Sequence, residues 1–115
     1  MASPNELEVV WETRDDTTIL KPEGDIDLGR SPTLRNDIRK AIEEKPRRLV
    51  VDLSGVSYMD SSGVATLVEA MQLARKASTK LVLCSLTDRV HSIFEIARLD
   101  QFFTITTTLD EAVGT

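Results

Sequence analysis

Two short stretches with almost no polar interruption, Leu49-Val50-Val51 and Leu81-Val82-Leu83-Cys84, limit what this chain can fold into more than any other feature. Brief runs rich in branched aliphatics are the pattern of strands covered on both faces, as in parallel sheets. Between them Val64, Leu67, Val68, Met71 and Ala74 recur at helical spacing, while Thr66, Glu69, Arg75 and Lys76 take the other side. This predicts an amphipathic helix over about 61–77, between strands at 48–53 and 80–85. Strand, helix and strand in that order form a parallel pair with a right-handed crossover.

The flanking sequence adds to this centre. Residues 7–11 and 17–22 alternate in polarity around Thr13-Arg14-Asp15-Asp16, which reads as the turn of an antiparallel hairpin. Gly24 bends the chain out of the second strand into the carboxylate-rich loop Gly24-Asp25-Ile26-Asp27. A helix then starts at Ser31-Pro32, with the Ser31 hydroxyl as cap and the proline in the first turn. It carries the stripe Leu34, Ile38, Ala41 and Ile42 and is closed by Pro46. A third helix opens near Thr87-Asp88 and turns Val90, Ile93, Phe94 and Ala97 inward, residues 102–106 form a last strand, and 109–113 form a short closing helix. The expected fold class is α/β: one domain at 7–115 after a flexible lead-in at 1–6, with a mixed four- to five-stranded sheet and helices packed on it.

Composition excludes several function classes. The net charge of -5 argues against a general nucleic-acid binder, and aromatics at 4% leave no stacking platform for bases. Acids gather before residue 28 and bases just after it, where Arg35, Arg39, Lys40, Lys45, Arg47 and Arg48 read as a solvated helix face. Cys84, the single cysteine, reads as a small buried hydrophobe. The first residues lack the basic segment and apolar core of a secretion signal, and no apolar stretch approaches a membrane span. A soluble, cytoplasmic protein without membrane insertion is the expectation.

Asp60 or Ser61 caps the central helix, which places the Ser61 and Ser62 hydroxyls at the positive end of its dipole. The residues themselves leave two readings open: the serines are caps only, or they form an acceptor site for a phosphate. Gly63, in the first turn, costs up to about 1 kcal/mol relative to alanine, and close approach by another backbone or a phosphate is one reason to tolerate it. Catalytic machinery does not assemble from the rest. The sole histidine, His91, sits mid-helix as a surface residue; the serines lack a nucleophile elbow; no His and Cys cluster has metal-ligand spacing; and Gly55 and Gly63 stand too far apart for a phosphate loop. Asp52 ends a buried strand, the phosphoacceptor position of receiver domains, but Phe102-Phe103-Thr104-Ile105-Thr106 supplies no lysine for that chemistry. Asp52 is instead expected to organise loop 54–60 through backbone N–H groups. The chain does not read as an enzyme, and no catalytic residue, metal or cofactor is expected.

Three segments together resemble a STAS domain, and specifically the free-standing anti-sigma factor antagonists of bacteria, from about residue 7 to 113. They are Gly24-Asp25-Ile26-Asp27, Leu49-Val50-Val51-Asp52-Leu53-Ser54 with Tyr58-Met59-Asp60-Ser61-Ser62-Gly63-Val64, and Phe94-Glu95-Ile96-Ala97-Arg98-Leu99. The Met-Asp-Ser-Ser-Gly run is the specific part; the aliphatic pattern around it is not. The resemblance implies a protein-binding switch in transcription regulation, with the serine directly after the aspartate, Ser61, as phosphoacceptor and Ser62 as the alternative. It places Asp27 near that serine, and the expected partner-binding set is Asp27, Asp60, Ser61, Ser62 and Gly63. The unphosphorylated form would bind an anti-sigma factor that is also a serine kinase and so free a sigma factor; phosphorylation would end binding, and a serine phosphatase would restore it. ATP and magnesium would belong to the kinase. A monomer is expected, with a weak dimer as the alternative. Two other readings stay beside this one: a constitutive STAS adaptor, for example in a lipid transport complex, with the serines as caps only, and small-ligand or nucleotide binding at the same helix terminus. Arg98 departs from the family, whose members often carry glycine there; it must either adopt a left-handed backbone under strain or let the helix run on.

Overall fold

The apolar runs become two of the three inner strands of a five-stranded sheet in the computed structural model, which describes residues 7–115. The lead-in expected at 1–6 lies outside the described residues. The elements are β1 (Glu8–Arg14), β2 (Thr17–Glu23), α1 (Ser31–Glu43), β3 (Arg48–Asp52), α2 (Ser61–Lys76), β4 (Lys80–Cys84), α3 (Asp88–Ile96), β5 (Thr104–Thr106) and α4 (Leu109–Val113). In space the strands keep their chain order, with β1 antiparallel to β2 and every later neighbour parallel. This is the expected α/β architecture.

Alternation along β3 explains why an uninterrupted apolar run was needed. Leu49 and Val51 face the main core with Leu34 and Ile38 of α1, Leu67 and Met71 of α2, and Val90 and Phe94 of α3. Val50 points the other way, into a smaller cluster with Ile19, Val82, Cys84 and Ala112. Both sides of the strand are thus dry, and each fully buried aliphatic side chain contributes about 1.5–3 kcal/mol relative to exposure. The second face is covered by α4 alone among the helices that touch it, and α4 packs on β3, β4 and β5. Glu69 of α2 joins α1 to α2 through Arg35 at 3.1 Å and Arg39 at 2.6 Å, which occupies part of the basic face.

Four local expectations are corrected. The hairpin turn is tighter than residues 13–16: β1 runs on through Thr13 and Arg14, leaving only Asp15 and Asp16 between the strands, with Asp15 at φ 55°. Ser31 is not the cap of α1 but its first residue, buried and preceded by Arg30 as N-cap, and the Asp27 carbonyl accepts from the Ser31 N–H at 2.8 Å. Ala97 does not turn inward; α3 ends at Ile96 and Ala97 is exposed as its C-cap. The last strand begins at Thr104 rather than Phe102, because Phe103 instead drops into the core against Phe94, with ring centroids 5.5 Å apart.

The third helix does stop, and Arg98 takes the left-handed backbone at φ 59°. The Leu99 N–H reaches back to the Phe94 carbonyl at 2.8 Å and the Arg98 N–H to Glu95 at 3.0 Å, closing the helix as a glycine would. No described helix is long and apolar enough to cross a membrane.

Candidate functional site

Two loops on the same side of the sheet are stitched together to build the site. The Ile26 N–H donates to the Tyr58 carbonyl at 3.0 Å, and the Asp60 N–H returns a bond to the Ile26 carbonyl at 3.0 Å, making an isolated parallel bridge between Ile26 and Met59. Gly24 allows the approach: its backbone sits at φ 119°, a region other residues rarely adopt, while its N–H bonds the Gly55 carbonyl at 2.9 Å. Deeper in the same loop the Asp52 carboxylate accepts from the Ser54 N–H at 3.0 Å, the organising role expected of it. Asp27 and Asp60 therefore each follow one half of the bridged pair, and the carboxylate-rich loop lies beside the start of α2.

Asp60 is the N-cap of α2. Its extended backbone (φ -94°, ψ -171°) turns Oδ1 onto the helix end, where it accepts from the Ser62 N–H at 2.9 Å, the Gly63 N–H at 3.4 Å and the Ser62 hydroxyl at 2.5 Å. These bonds favour the charged form. The Ser62 hydroxyl foremost, then the N–H groups of Ser62, Gly63 and Leu28, hold the Asp60 carboxyl below the usual carboxylate range against the opposing effect of burial.

The two serines are thereby made unequal. Ser62 is half-buried, with its hydroxyl committed to Asp60 and its carbonyl to the Thr66 hydroxyl at 2.9 Å. Ser61 is exposed as the first residue of α2, and its hydroxyl bonds to no group among the described residues. Gly63 is buried for a reason other than an incoming phosphate. A Cβ there would stand 2.9 Å from Ile26 Cγ2 and 3.0 Å from Met59 Cβ, so the helix end can seat on the bridged loops only without a side chain. Asp27 is exposed, and its Oδ1 accepts from the Arg30 N–H at 3.1 Å, which anchors the entry to α1.

Beside Ser61 lies an open, mainly apolar cleft of about 650 Å³ between α2 and α3, walled by Tyr58, Val64, Ala65, Ile93, Ile96 and Ala97. Ile96 is 84% exposed, and Leu28, on the loop that follows Asp27, is 76% exposed. The Arg89 guanidinium stacks over the Tyr58 ring at 4.8 Å from its centroid. The candidate set read from the sequence omitted this apolar surround. Its signal was available in Ile96, an aliphatic residue off the Val90, Ile93, Phe94 stripe, and in Leu28, isolated among polar loop residues.

Among the described residues no three His, Cys, Asp or Glu side chains group as metal ligands. His91 is exposed and pairs through Nδ1 with Glu95 at 3.0 Å, one helical turn away. What the arrangement offers is a surface: an exposed hydroxyl at a helix N-terminus, two flanking carboxylates and an apolar cleft.

The sequence matches the STAS domain family over residues 8–112. This chain belongs to the STAS family. An anti-sigma-B factor antagonist of Listeria monocytogenes serovar 1/2a is 34% identical over 82 residues, covering 71% of this chain and 72% of that protein. An anti-sigma factor antagonist from Mycobacterium paratuberculosis has the same fold, with a TM-score of 0.83 at 24% identity over 99% of this chain and 97% of that one. The Bacillus cell fate determinant SpoIIAA, solved in its phosphorylated form, shares the fold with a TM-score of 0.71 at 20% identity, over 93% of this chain and 97% of that one. The STAS domain described above thus stands among bacterial anti-sigma factor antagonists.

Proposed function

We propose that this STAS domain is an anti-sigma factor antagonist switched by phosphorylation of Ser61. In the unmodified state it binds an anti-sigma factor that is also a serine kinase and so releases a sigma factor; a phosphate on Ser61 ends the binding, and a serine phosphatase renews it. The observation that carries this reading is the division of labour between adjacent hydroxyls: Ser62 is engaged by the helix cap, and Ser61 stands exposed and unengaged. A kinase meets one accessible acceptor there. SpoIIAA, a protein of this fold, exists in a phosphorylated form.

The physical basis of the switch is local. A phosphoserine adds about -1.5 to -2 charge, and the positive end of α2 accommodates it within the domain. Asp27 and Asp60 already make that surface acidic, so the added charge falls on the contact with the partner, where like-charge juxtaposition costs several kcal/mol. The apolar cleft next to Ser61 supplies contact area that is lost when the partner is held off. ATP and magnesium belong to the kinase, and this chain is its substrate and ligand.

The test combines the purified protein with its cognate anti-sigma kinase and ATP. Mass spectrometry is expected to find one phosphate on Ser61, absent in Ser61→Ala and retained in Ser62→Ala; transfer to Ser62, or none at all, contradicts the proposal. In calorimetry, Ser61→Glu is expected to weaken binding to the kinase at least tenfold. Binding indifferent to that substitution would leave the constitutive adaptor.

A further inference from the structure

The outer edge of β1 ends the sheet. The strand runs for seven residues without a bulge, each residue from Glu8 to Arg14 facing one residue of β2, and no other described strand pairs with its far side. Natural sheets blunt such edges with charged side chains, lysine above all, with proline, a bulge or a short strand. Glu8-Val9-Val10-Trp11-Glu12-Thr13-Arg14 has no lysine, proline or bulge, and its three charges are of mixed sign, whereas the opposite edge strand, β5, is only three residues long.

The phase of this edge follows from one residue of β2. Pro22 lies opposite Val9 and has no N–H, so that pair is a non-hydrogen-bonded one. By alternation Glu8, Val10, Glu12 and Arg14 exchange backbone bonds with β2, and the N–H and C=O groups of Val9, Trp11 and Thr13 point outward. A second strand can be received only by these three residues.

We infer that two copies of this chain pair through β1 as a symmetric antiparallel dimer centred on Trp11. Two-fold registers centred on Val10, Trp11 or Glu12 bring at least two of these three residues into mutual pairs, and only the one centred on Trp11 engages all three. Centring on Val10 sets Glu8 opposite Glu12 of the second copy, and centring on Glu12 sets that residue opposite itself; like charges directly opposite are destabilising. Arg14 already pairs with Glu12 of its own strand. Centring on Trp11 sets Glu8 of the second copy opposite Arg14 at both ends, so that each guanidinium lies between two carboxylates, with Val10 opposite Glu12, Val9 opposite Thr13, and the two indoles side by side. Charge and the number of outward-pointing residues engaged together select this register, in which the strand complements a copy of itself. Trp11 is 39% exposed and already held against α1 by its Nε1–H, which donates to Asp37 at 3.4 Å. A rigid aromatic at the centre of a two-fold contact is the usual anchor of an isologous interface. A single strand pair buries little area, so the dimer is weak. No residue of the Ser61 loop belongs to β1.

Sedimentation velocity on the full chain tests this, together with emission from Trp11, the only tryptophan. The sedimentation coefficient is expected to rise toward that of a dimer between about 5 and about 500 µM, the range suited to a small interface, with a concentration-dependent shift of tryptophan emission. Arg14→Glu is expected to abolish both effects and the charge swap Glu8→Arg/Arg14→Glu to restore them, with circular dichroism verifying that each variant is folded. A monomer at every concentration, a dimer unaffected by Arg14→Glu, or a swap that fails to restore association each overturns the proposal.

Discussion

Neighbouring hydroxyls meet different fates where α2 begins, and the carboxylate between the loops decides which is which. Asp60 takes the Ser62 hydroxyl as its strongest support for the charged form. Ser62→Ala is therefore expected to move the Asp60 carboxyl back toward the ordinary carboxylate value, read from carboxyl-carbon NMR shifts across a pH titration. Because the folded-state value lies below the unfolded one, Asp60 stabilises the domain above about pH 3.9, and this contribution is lost as pH falls through the folded value. The stability gap between wild type and Ser62→Ala is accordingly present at neutral pH and closes in acid. Cys84 follows the opposite logic. Burial pushes its thiol up to about 11, aided by Asp52 and opposed by a bond from Ser85, in keeping with the inert, buried residue read from the sequence. At this scale the residues alone place both serines at the helix start but do not say which hydroxyl the cap engages. Asp60 and Ser61 can both cap a helix, and the choice depends on where helical backbone angles start.

The three longer helices of this domain end without glycine. Lys45 after α1, Ser78 after α2 and Arg98 after α3 all hold left-handed backbones, at φ 54°, 58° and 59°. Such a conformation costs a residue with a side chain about 1–2 kcal/mol, part of which glycine gives back through the entropy of the unfolded chain. Arg98→Gly is expected to stabilise the domain by about 0.5–1 kcal/mol in urea denaturation; destabilisation would mean that the Arg98 side chain matters to the fold. Element types and order were legible where the periodicities are clean: unbroken apolar runs in β3 and β4, and a helical stripe in α2; the alternation read in β2 is absent, its first four residues all being buried. Ends were less legible. The β1–β2 ladder extends to a two-residue turn because Thr13 and Arg14 find partners in Thr18 and Thr17 of β2, and Phe103 leaves the last strand because Phe94 offers it a core contact. Neither effect is encoded within the segment it reshapes.

Across the whole molecule, the site is built where separate parts of the chain interlock. Ile26 comes from the loop after β2, Met59 from the loop after β3, and Gly63 from α2, and the three meet at a spacing that excludes one more carbon. Gly63→Ala gains about 1 kcal/mol of helix propensity but overpacks a buried contact, at about 1–3 kcal/mol. The expected result is net destabilisation by about 1 kcal/mol in chemical denaturation, with a reduced melting temperature. This interlock was invisible in the sequence, which offered a phosphate as readily as an isoleucine to explain the glycine. The apolar cleft was hidden for a similar reason, since it exists only once α3 is laid beside α2. The bridge between Ile26 and Met59 gives Ser61 a stiff mount, tied to the sheet through backbone groups rather than swinging side chains. Covalent change at that oxygen would leave the contour beneath it as it was. A visiting protein would then have to tell the two forms apart by touch of charge and bulk alone, as a lock distinguishes keys cut from the same blank.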